Sequence, residues 1–272
     1  MKGSACVEFL QWALPRLGYR WPGFRKVRGQ VCKRIRRRMQ ELACGGFDAY
    51  RKLLDDDPDE WDVVDSYCRI TISRFYRNKG VFRTIADIVL PELAEQARSE
   101  RREVKCWCAG CASGEEVYTL KLLWDLDGPG SDGMVKFTVL GTDIDQAVLS
   151  RAAAGRYDAA SLRELPKPLL QRGFDHLDDV YCVKNLHRCG ITFLRQDIRH
   201  AMPSGPFDLV LCRNLVLTYF EPALQLRLVK ELAERLAPSG YLVVGSHEAL
   251  PLGISTFNQP LAGCREILRR TF

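Results

Sequence analysis

The spacing of apolar positions changes about a third of the way along the chain. Up to about residue 98 apolar residues recur every three or four positions, the period of a helix buried on one side. Val7, Leu10 and Leu14 predict an amphipathic helix near the N-terminus. In "VCKRIRRRMQELACGG", Val31, Ile35, Met39 and Leu42 share one face, and Lys33, Arg36 and Arg37 the opposite one. Gly45 and Gly46 are expected to end that helix. "FDAYRKLL" predicts a short helix buried through Phe47, Tyr50 and Leu54, and "DPDEWDVVDSYCRI" another, with Pro58 near its start. "GVFRTIADIVLPELAEQARSE" reads as a further helix, broken or kinked at Pro91. From Val104 the pattern is different. The β-rich runs "VKCWCAG", "KFTVLGTDI", "ITFLRQDI", "FDLVLCRN" and "GYLVVGS" alternate with helical stretches such as "EEVYTLKLLWDL", "DQAVLSRAAAG" and "PALQLRLVKELAERLAP". Such alternation implies parallel strands joined by crossover helices, a doubly wound α/β sheet. The terminal "PLAGCREILRRTF" suggests antiparallel edge strands. The charged run "RSERRE" divides the two regimes. The domains are therefore expected at 1–98 (helical), 99–103 (linker) and 104–272 (α/β). The α/β domain should carry an inserted helix and a small hairpin at about 156–190.

Within that frame, "CWCAGCASGEEVYTL" (106–120) is a strand, a tight turn and a helix start. Gly110 and Gly114 bracket the turn, and Glu115 and Glu116 open the helix. The first strand–turn–helix of a doubly wound sheet is where such folds hold cofactors. The spacing G-x-x-x-G is not the dinucleotide pattern, and two glutamates at a helix N-terminus repel the pyrophosphate that a dinucleotide would place there. A cationic ligand without phosphate fits better, and S-adenosylmethionine has an ammonium, a sulfonium and no phosphate. Asp143, ending "VLGTD", is placed to accept hydrogen bonds from ribose hydroxyls. Asp197 and Ile198, in "RQDI", are placed for the amino group and the face of adenine. Asp145 is expected to cap the following helix. Cys106, Cys108 and Cys111 offer three ligands, one short of a structural zinc site, so no metal is expected.

Composition narrows the class. Hydrophobic residues make up 46% and charged residues 27% of 272, an ordinary globular balance. No apolar run approaches the ~20 residues of a membrane span. The first residues do not read as a secretory signal, since Glu8 and Gln11 interrupt the apolar stretch. Eleven cysteines is an odd count. Without a signal it implies reduced thiols in the cytoplasm. Ten basic residues and no acid lie between Arg16 and Arg38, and six acids fill eight positions from Asp55 to Asp62. A nucleic-acid binder would be more uniformly basic, so none is expected as a partner. A local basic face suits docking to an acidic protein.

These residues resemble the chemotaxis receptor (CheR-type) methyltransferases. The resemblance runs from about Phe24 to the C-terminus. It is carried by "RIRRRMQELACGGFDAYRKLL", "TISRFYRNKGVF", "AGCASGEEVYTL", "GTDIDQAVLSRAAAGRYD", "FDLVLCRNLVLTYF" and "APSGYLVVGSHEAL". It implies a Rossmann-like methyltransferase sheet with a small inserted β-subdomain behind an all-helical N-terminal domain. It also implies S-adenosylmethionine as methyl donor (S-adenosylhomocysteine as product) and glutamates of a helical receptor as acceptor. Residue by residue, Thr71, Ser73 and Arg77 match the linker that closes over the cofactor, with Arg77 close to the methyl donor. One of Glu115 and Glu116 matches the contact to the methionine end. Asp143 matches the ribose acid, Asp197 and Ile198 the adenine pair, Arg213 and Asn214 the pair after the fourth strand, and Tyr219 the active-site tyrosine. The sequence departs from the family in two places. "RNLVLTYF" has one extra residue before Tyr219, and in the linker Thr71 stands for asparagine and Tyr76 for phenylalanine. The cofactor side is therefore better matched than the acceptor side. A protein carboxylate is the leading acceptor, a small acid, thiol or phenol the rival, and a non-catalytic signalling scaffold a third reading.

Overall fold

A computed structural model describes residues 4–257, 261 and 263–271. The chain divides into two compact units, one running to Ile70 and taking in Val216–Gln225, the other comprising Thr71–Leu215 and Leu226–Phe272. Of the terminal run read as edge strands, Pro260, Ala262 and Phe272 lie outside the described residues. Among the described residues, no helix is long and apolar enough to cross a membrane.

The first unit is helical, with helices Ser4–Arg16, Trp21–Phe24, Arg28–Glu41, Phe47–Asp56, Glu60–Cys68 and Val216–Tyr219. The predicted faces are the buried ones: Leu10, Leu14, Val31, Ile35, Tyr50 and Leu54 have almost no exposed surface, and Phe9 stacks on Tyr50 at 5.6 Å. Two carboxylates, Glu60 and Asp65, are buried with them. Glu60 accepts a bidentate pair from Arg38 (3.0 and 2.7 Å) and the Tyr50 hydroxyl (2.6 Å). Those charge-assisted bonds hold the Glu60 carboxyl below its ordinary range despite burial.

Two expectations need correction here. Helix Arg28–Glu41 ends before the glycines: Ala43 takes the left-handed conformation (φ 51), and the Cys44 N–H reaches back to the Met39 carbonyl at 2.9 Å. This is the hydrogen-bonding pattern of a Schellman cap, with alanine where glycine is usual. The thiols are also not all reduced, because Cys6 and Cys32 form a disulfide with Cα atoms 6.1 Å apart. Both cysteines sit on the buried faces of their helices, so in sequence they read as small hydrophobes.

The second unit holds the sheet. Its strands are β1 (Val104–Ala109), β2 (Phe137–Asp143), β3 (Arg156–Tyr157), β4 (Phe174–Leu177), β5 (Val180–Val183), β6 (Ile191–Arg195), β7 (Phe207–Leu211), β8 (Leu236–Val243) and β9 (Ile267–Arg269). Six of them form the main sheet in the order β6-β2-β1-β7-β8-β9, parallel except for β9. The order runs outward from β1 in both directions, so the switch point lies at the carboxyl ends of β1 and β7, where open α/β sheets bind ligands. A separate antiparallel sheet, β3-β5-β4, occupies the region read as an insertion.

The helical stretch 79–100 belongs to this second unit, so the contact boundary falls at Ile70 and Thr71, upstream of the charged run at 99–103. The reason is its apolar face: Phe82, Ile85, Val89, Leu90, Leu93 and Ala97 share one core with Val104, Cys106, Leu209 and Tyr241. Pro91 does not break the stretch. A π turn at Ile85–Val89 precedes it, and a widened turn of this kind accommodates a missing N–H.

Candidate cofactor site

The loop after β1 is fastened at several points. The N–H groups of Gly110 and Cys111 both donate to the Thr142 carbonyl (2.8 and 2.9 Å), and that of Ala112 to Asp143 Oδ2 (2.9 Å). Gly110 and Gly114 have φ +72 and +86. A Cβ on Gly110 would stand 2.6 Å from Leu215 Cδ2, and one on Gly114 2.9 Å from Ala152 Cβ. Both glycines are therefore required by conformation, and Gly114 by space as well. Asp143 also accepts from the Asp145 N–H through Oδ1 (3.0 Å), so backbone donors hold both of its oxygens. Desolvation raises the Asp143 carboxyl above its ordinary value, opposed by those backbone hydrogen bonds. Asp145 caps the next helix by accepting from Ala147 N–H at 2.8 Å.

The two adjacent glutamates have different partners. Glu116 pairs with the guanidinium of Arg213, which also donates to Asn78 Oδ1 (2.6 Å) and to the Arg77 carbonyl (3.1 Å). Glu115 is 5% exposed, and its Oε2 has no hydrogen-bond partner. Burial pushes its carboxyl up to about 7, against a stabilising hydrogen bond from Ser73. A buried carboxylate oxygen without a donor is a place for a cation. The donor set fits S-adenosylmethionine on this observation: Glu115 would meet the ammonium, Asp143 the ribose hydroxyls, and the glycine loop the close-lying backbone of the ligand.

Thr71 and Ser73 are half-buried in the segment that leads to Arg77, whose Nη1 donates to the Ile72 carbonyl at 3.2 Å. Asp197 follows β6, next to the end of β2, and its carboxylate is engaged by the Arg199 guanidinium at 2.8–3.0 Å. Ile198 is buried beside it. Asn214 takes a left-handed conformation (φ 55) and donates its N–H to Glu248 Oε2 at 3.0 Å. Tyr219 belongs to the first unit, on helix Val216–Tyr219, with its ring 5.0 Å from that of Phe24.

Cys106 and Cys108 lie on one face of β1 and Trp107 on the other, where its Nε1 donates to Thr142 Oγ1 at 2.9 Å. Burial drives the Cys106, Cys108 and Cys111 thiols well above their ordinary value, so they carry little thiolate.

Three residues that shape the site were missed by sequence reasoning. Asn78 bridges Arg213 and Ser246 (2.6 and 3.3 Å). Glu248 accepts from both Asn214 and Gly245 N–H groups (3.0 and 2.6 Å). Tyr157 donates to the Ser113 carbonyl at 2.6 Å. All three lie in resemblance-bearing runs, Asn78 in "TISRFYRNKGVF", Tyr157 in "GTDIDQAVLSRAAAGRYD" and Glu248 in "APSGYLVVGSHEAL".

A doubly wound sheet whose switch point presents a glycine turn, a buried acid with one oxygen unpaired and a second-strand acid defines the class of S-adenosylmethionine-binding methyltransferases. Comparison with known proteins takes this further. The model "CheR methyltransferase, SAM binding domain" matches residues 71–262, and "CheR methyltransferase, all-alpha domain" matches 26–64. A chemotaxis protein methyltransferase of Listeria monocytogenes is 32% identical over 216 residues, 78% of this chain and 79% of that one. A probable chemotaxis protein methyltransferase of Rhizobium etli is 28% identical over 250 residues, covering 86% and 92%. An uncharacterised 104.1 kDa protein of Rhodobacter capsulatus is 31% identical over 222 residues, 82% of this chain and only 23% of its own length. The chain belongs to the CheR methyltransferase family and is an S-adenosylmethionine-dependent methyltransferase.

Proposed function

We propose that the enzyme esterifies glutamate carboxylates on an acidic helical protein of the chemoreceptor kind, in the cytoplasm. The observation that carries the cofactor side is the contrast between Glu116, neutralised by Arg213, and Glu115, buried with an oxygen unpaired. It supports Glu115, rather than Glu116, as the partner of the methionine ammonium. Asp143 accepts from the ribose, Thr71 and Ser73 line the segment over the cofactor, and Asp197 and Ile198 take the adenine edge and face. Arg213 supports the site by fixing Glu116 and the Arg77 backbone, and Asn214 by shaping the turn after β7.

When bound, S-adenosylmethionine supplies an electrophilic methyl group. The acceptor needs no deprotonation, since a free glutamate side chain has pKa ~4.3 and is ionised near neutral pH. What the chain adds is alignment and exclusion of water, worth ~7–11 kcal/mol in well-oriented cases. Arg77 is assigned to hold the acceptor carboxylate, and Tyr219, by its match to the family tyrosine, to orient it. The acceptor side rests on the names of the relatives and on the helix face bearing Lys33, Arg36 and Arg37, all exposed.

The test is transfer of a labelled methyl group from S-adenosylmethionine in the presence of a chemoreceptor signalling segment and, separately, of a small-molecule extract. Label in the protein fraction is the expected result. Label confined to small molecules would overturn the protein acceptor while leaving the cofactor site intact.

A further inference from the structure

The inserted sheet is hydrogen-bonded to the cofactor loop. Tyr157, on β3, is 5% exposed, and its hydroxyl donates to the Ser113 carbonyl at 2.6 Å. Ser113 lies between Ala112, bonded to Asp143, and Gly114, the left-handed residue before Glu115. The loop is thus fastened to β2 on one side by Thr142 and Asp143, and to the insertion on the other by Tyr157.

The same ring organises the 71–77 segment. Phe75 is fully buried, edge-on to Tyr157 at 4.7 Å and to Phe174 of β4 at 5.4 Å, and its N–H donates to the Ser161 carbonyl at 3.1 Å. Next to it, the Tyr76 N–H donates to Thr119 Oγ1 (3.2 Å), which in turn donates to the Glu115 carbonyl (2.6 Å). Tyr76 and Asn78 both have positive φ (55 and 66), a conformation that non-glycine residues keep only where surrounding contacts impose it. One aromatic side chain of the insertion therefore braces the loop before Glu115 and the residues leading to Arg77.

We propose that Tyr157 is a positioning residue for cofactor binding, through which the inserted subdomain sets the conformation of the 110–114 loop. Its hydroxyl holds the Ser113 carbonyl away from the ligand side and keeps the loop in its binding-competent turn. This inference rests on reading that loop as the cofactor loop.

Tyr157→Phe keeps the ring and its contacts with Phe75 and removes only the hydroxyl. Tyr118→Phe is the matched control. Its hydroxyl is also buried and donates to the Ala152 carbonyl at 2.9 Å, so it bonds no atom of the loop, although the Ala152 side chain lies next to Gly114. Calorimetric titration of the full-length variants with S-adenosylhomocysteine is expected to show roughly tenfold weaker binding for Tyr157→Phe, the consequence of a buried acceptor left unpaired. Tyr118→Phe is expected to bind within about twofold of wild type, though it loses a comparable hydrogen bond. Hydrogen exchange at the 112–113 amides should be faster in free Tyr157→Phe and return to wild-type protection when S-adenosylhomocysteine is bound. Wild-type affinity in Tyr157→Phe, or equal losses in both variants, would overturn the proposal. Asp143→Ala separates the two levels. If it weakens binding while Tyr157→Phe does not, the site stands and the positioning role falls; if neither does, the site reading fails and the inference with it.

Discussion

Glu115 and Glu116 are neighbours in sequence, yet their carboxylates meet different surroundings. Sequence could not choose between them, because the choice depends on Arg213, which comes from the far end of β7, and on Ser73, which comes from before the sheet. Burial raises the Glu115 carboxyl to about 7, with Ser73 and Arg151 opposing and Glu116 assisting, and with Cys111 and Tyr157 also close enough to interact. The sign follows. With its folded value above the ordinary one, free Glu115 takes up a proton as pH falls through about 7, which favours the folded protein and disfavours a cationic ligand. The affinity for S-adenosylhomocysteine should therefore fall below pH ~7, by up to about tenfold per unit. Glu115→Gln should bind more weakly at pH 8 and lose that dependence, as read by calorimetry across pH 5.5–8. A second expectation concerns Asp143, whose position at the end of a strand was legible from the "VLGTD" pattern alone. Asp143→Ala should cost ~1–3 kcal/mol of cofactor binding. Unchanged affinity in the folded variant would remove Asp143 from the site. The residues that escaped notice, Asn78, Glu248 and Tyr157, stand within quoted motifs, but they act largely on backbone atoms or on side chains distant in sequence, and a motif does not name such partners.

Among the elements, the strands of the main sheet were the most legible. Runs such as "KFTVLGTDI" and "FDLVLC" are apolar on both faces because helices cover both sides, and the turn residues between them are unambiguous. Helix ends were less so, since the cap at Ala43 uses tertiary constraint where glycine was expected two residues later. The disulfide was illegible for the same kind of reason, as pairing depends on how two amphipathic helices face each other. The boundary at 99–103 looked like a linker by charge, but the helix before it buries its apolar face on the sheet. In the first unit the Arg38–Glu60–Tyr50 network joins three helices around one buried carboxylate. Glu60→Ala should destabilise the protein by ~3–5 kcal/mol, because it leaves Arg38 and Tyr50 without their acceptor. The wild-type contribution is present above the ordinary carboxyl range and is lost as pH falls through the lowered Glu60 value. Denaturant unfolding of wild type and variant should therefore converge toward acid pH, and a constant gap would contradict this role.

For the whole molecule, the outstanding question is what accepts the methyl group. Family membership fixes the donor and the reaction type, whereas the extra residue in "RNLVLTYF" departs from the family pattern just before Tyr219, the residue proposed to orient the acceptor. If an acidic helical protein is the acceptor, Lys33, Arg36 and Arg37 should speed its association more than they affect chemistry. Reversing all three to glutamate should raise the apparent KM for the protein acceptor and flatten its salt dependence, with S-adenosylhomocysteine affinity unchanged. A variant indistinguishable from wild type would remove this face from substrate recognition. The most direct measurement is mass spectrometry of a chemoreceptor signalling segment after incubation with enzyme and S-adenosylmethionine. A single-methyl mass increase mapped to glutamate side chains and removed by mild alkali, as for a carboxyl ester, is the expected result. A methyl group that resists alkali, maps to another residue type, or never appears on the protein would contradict it.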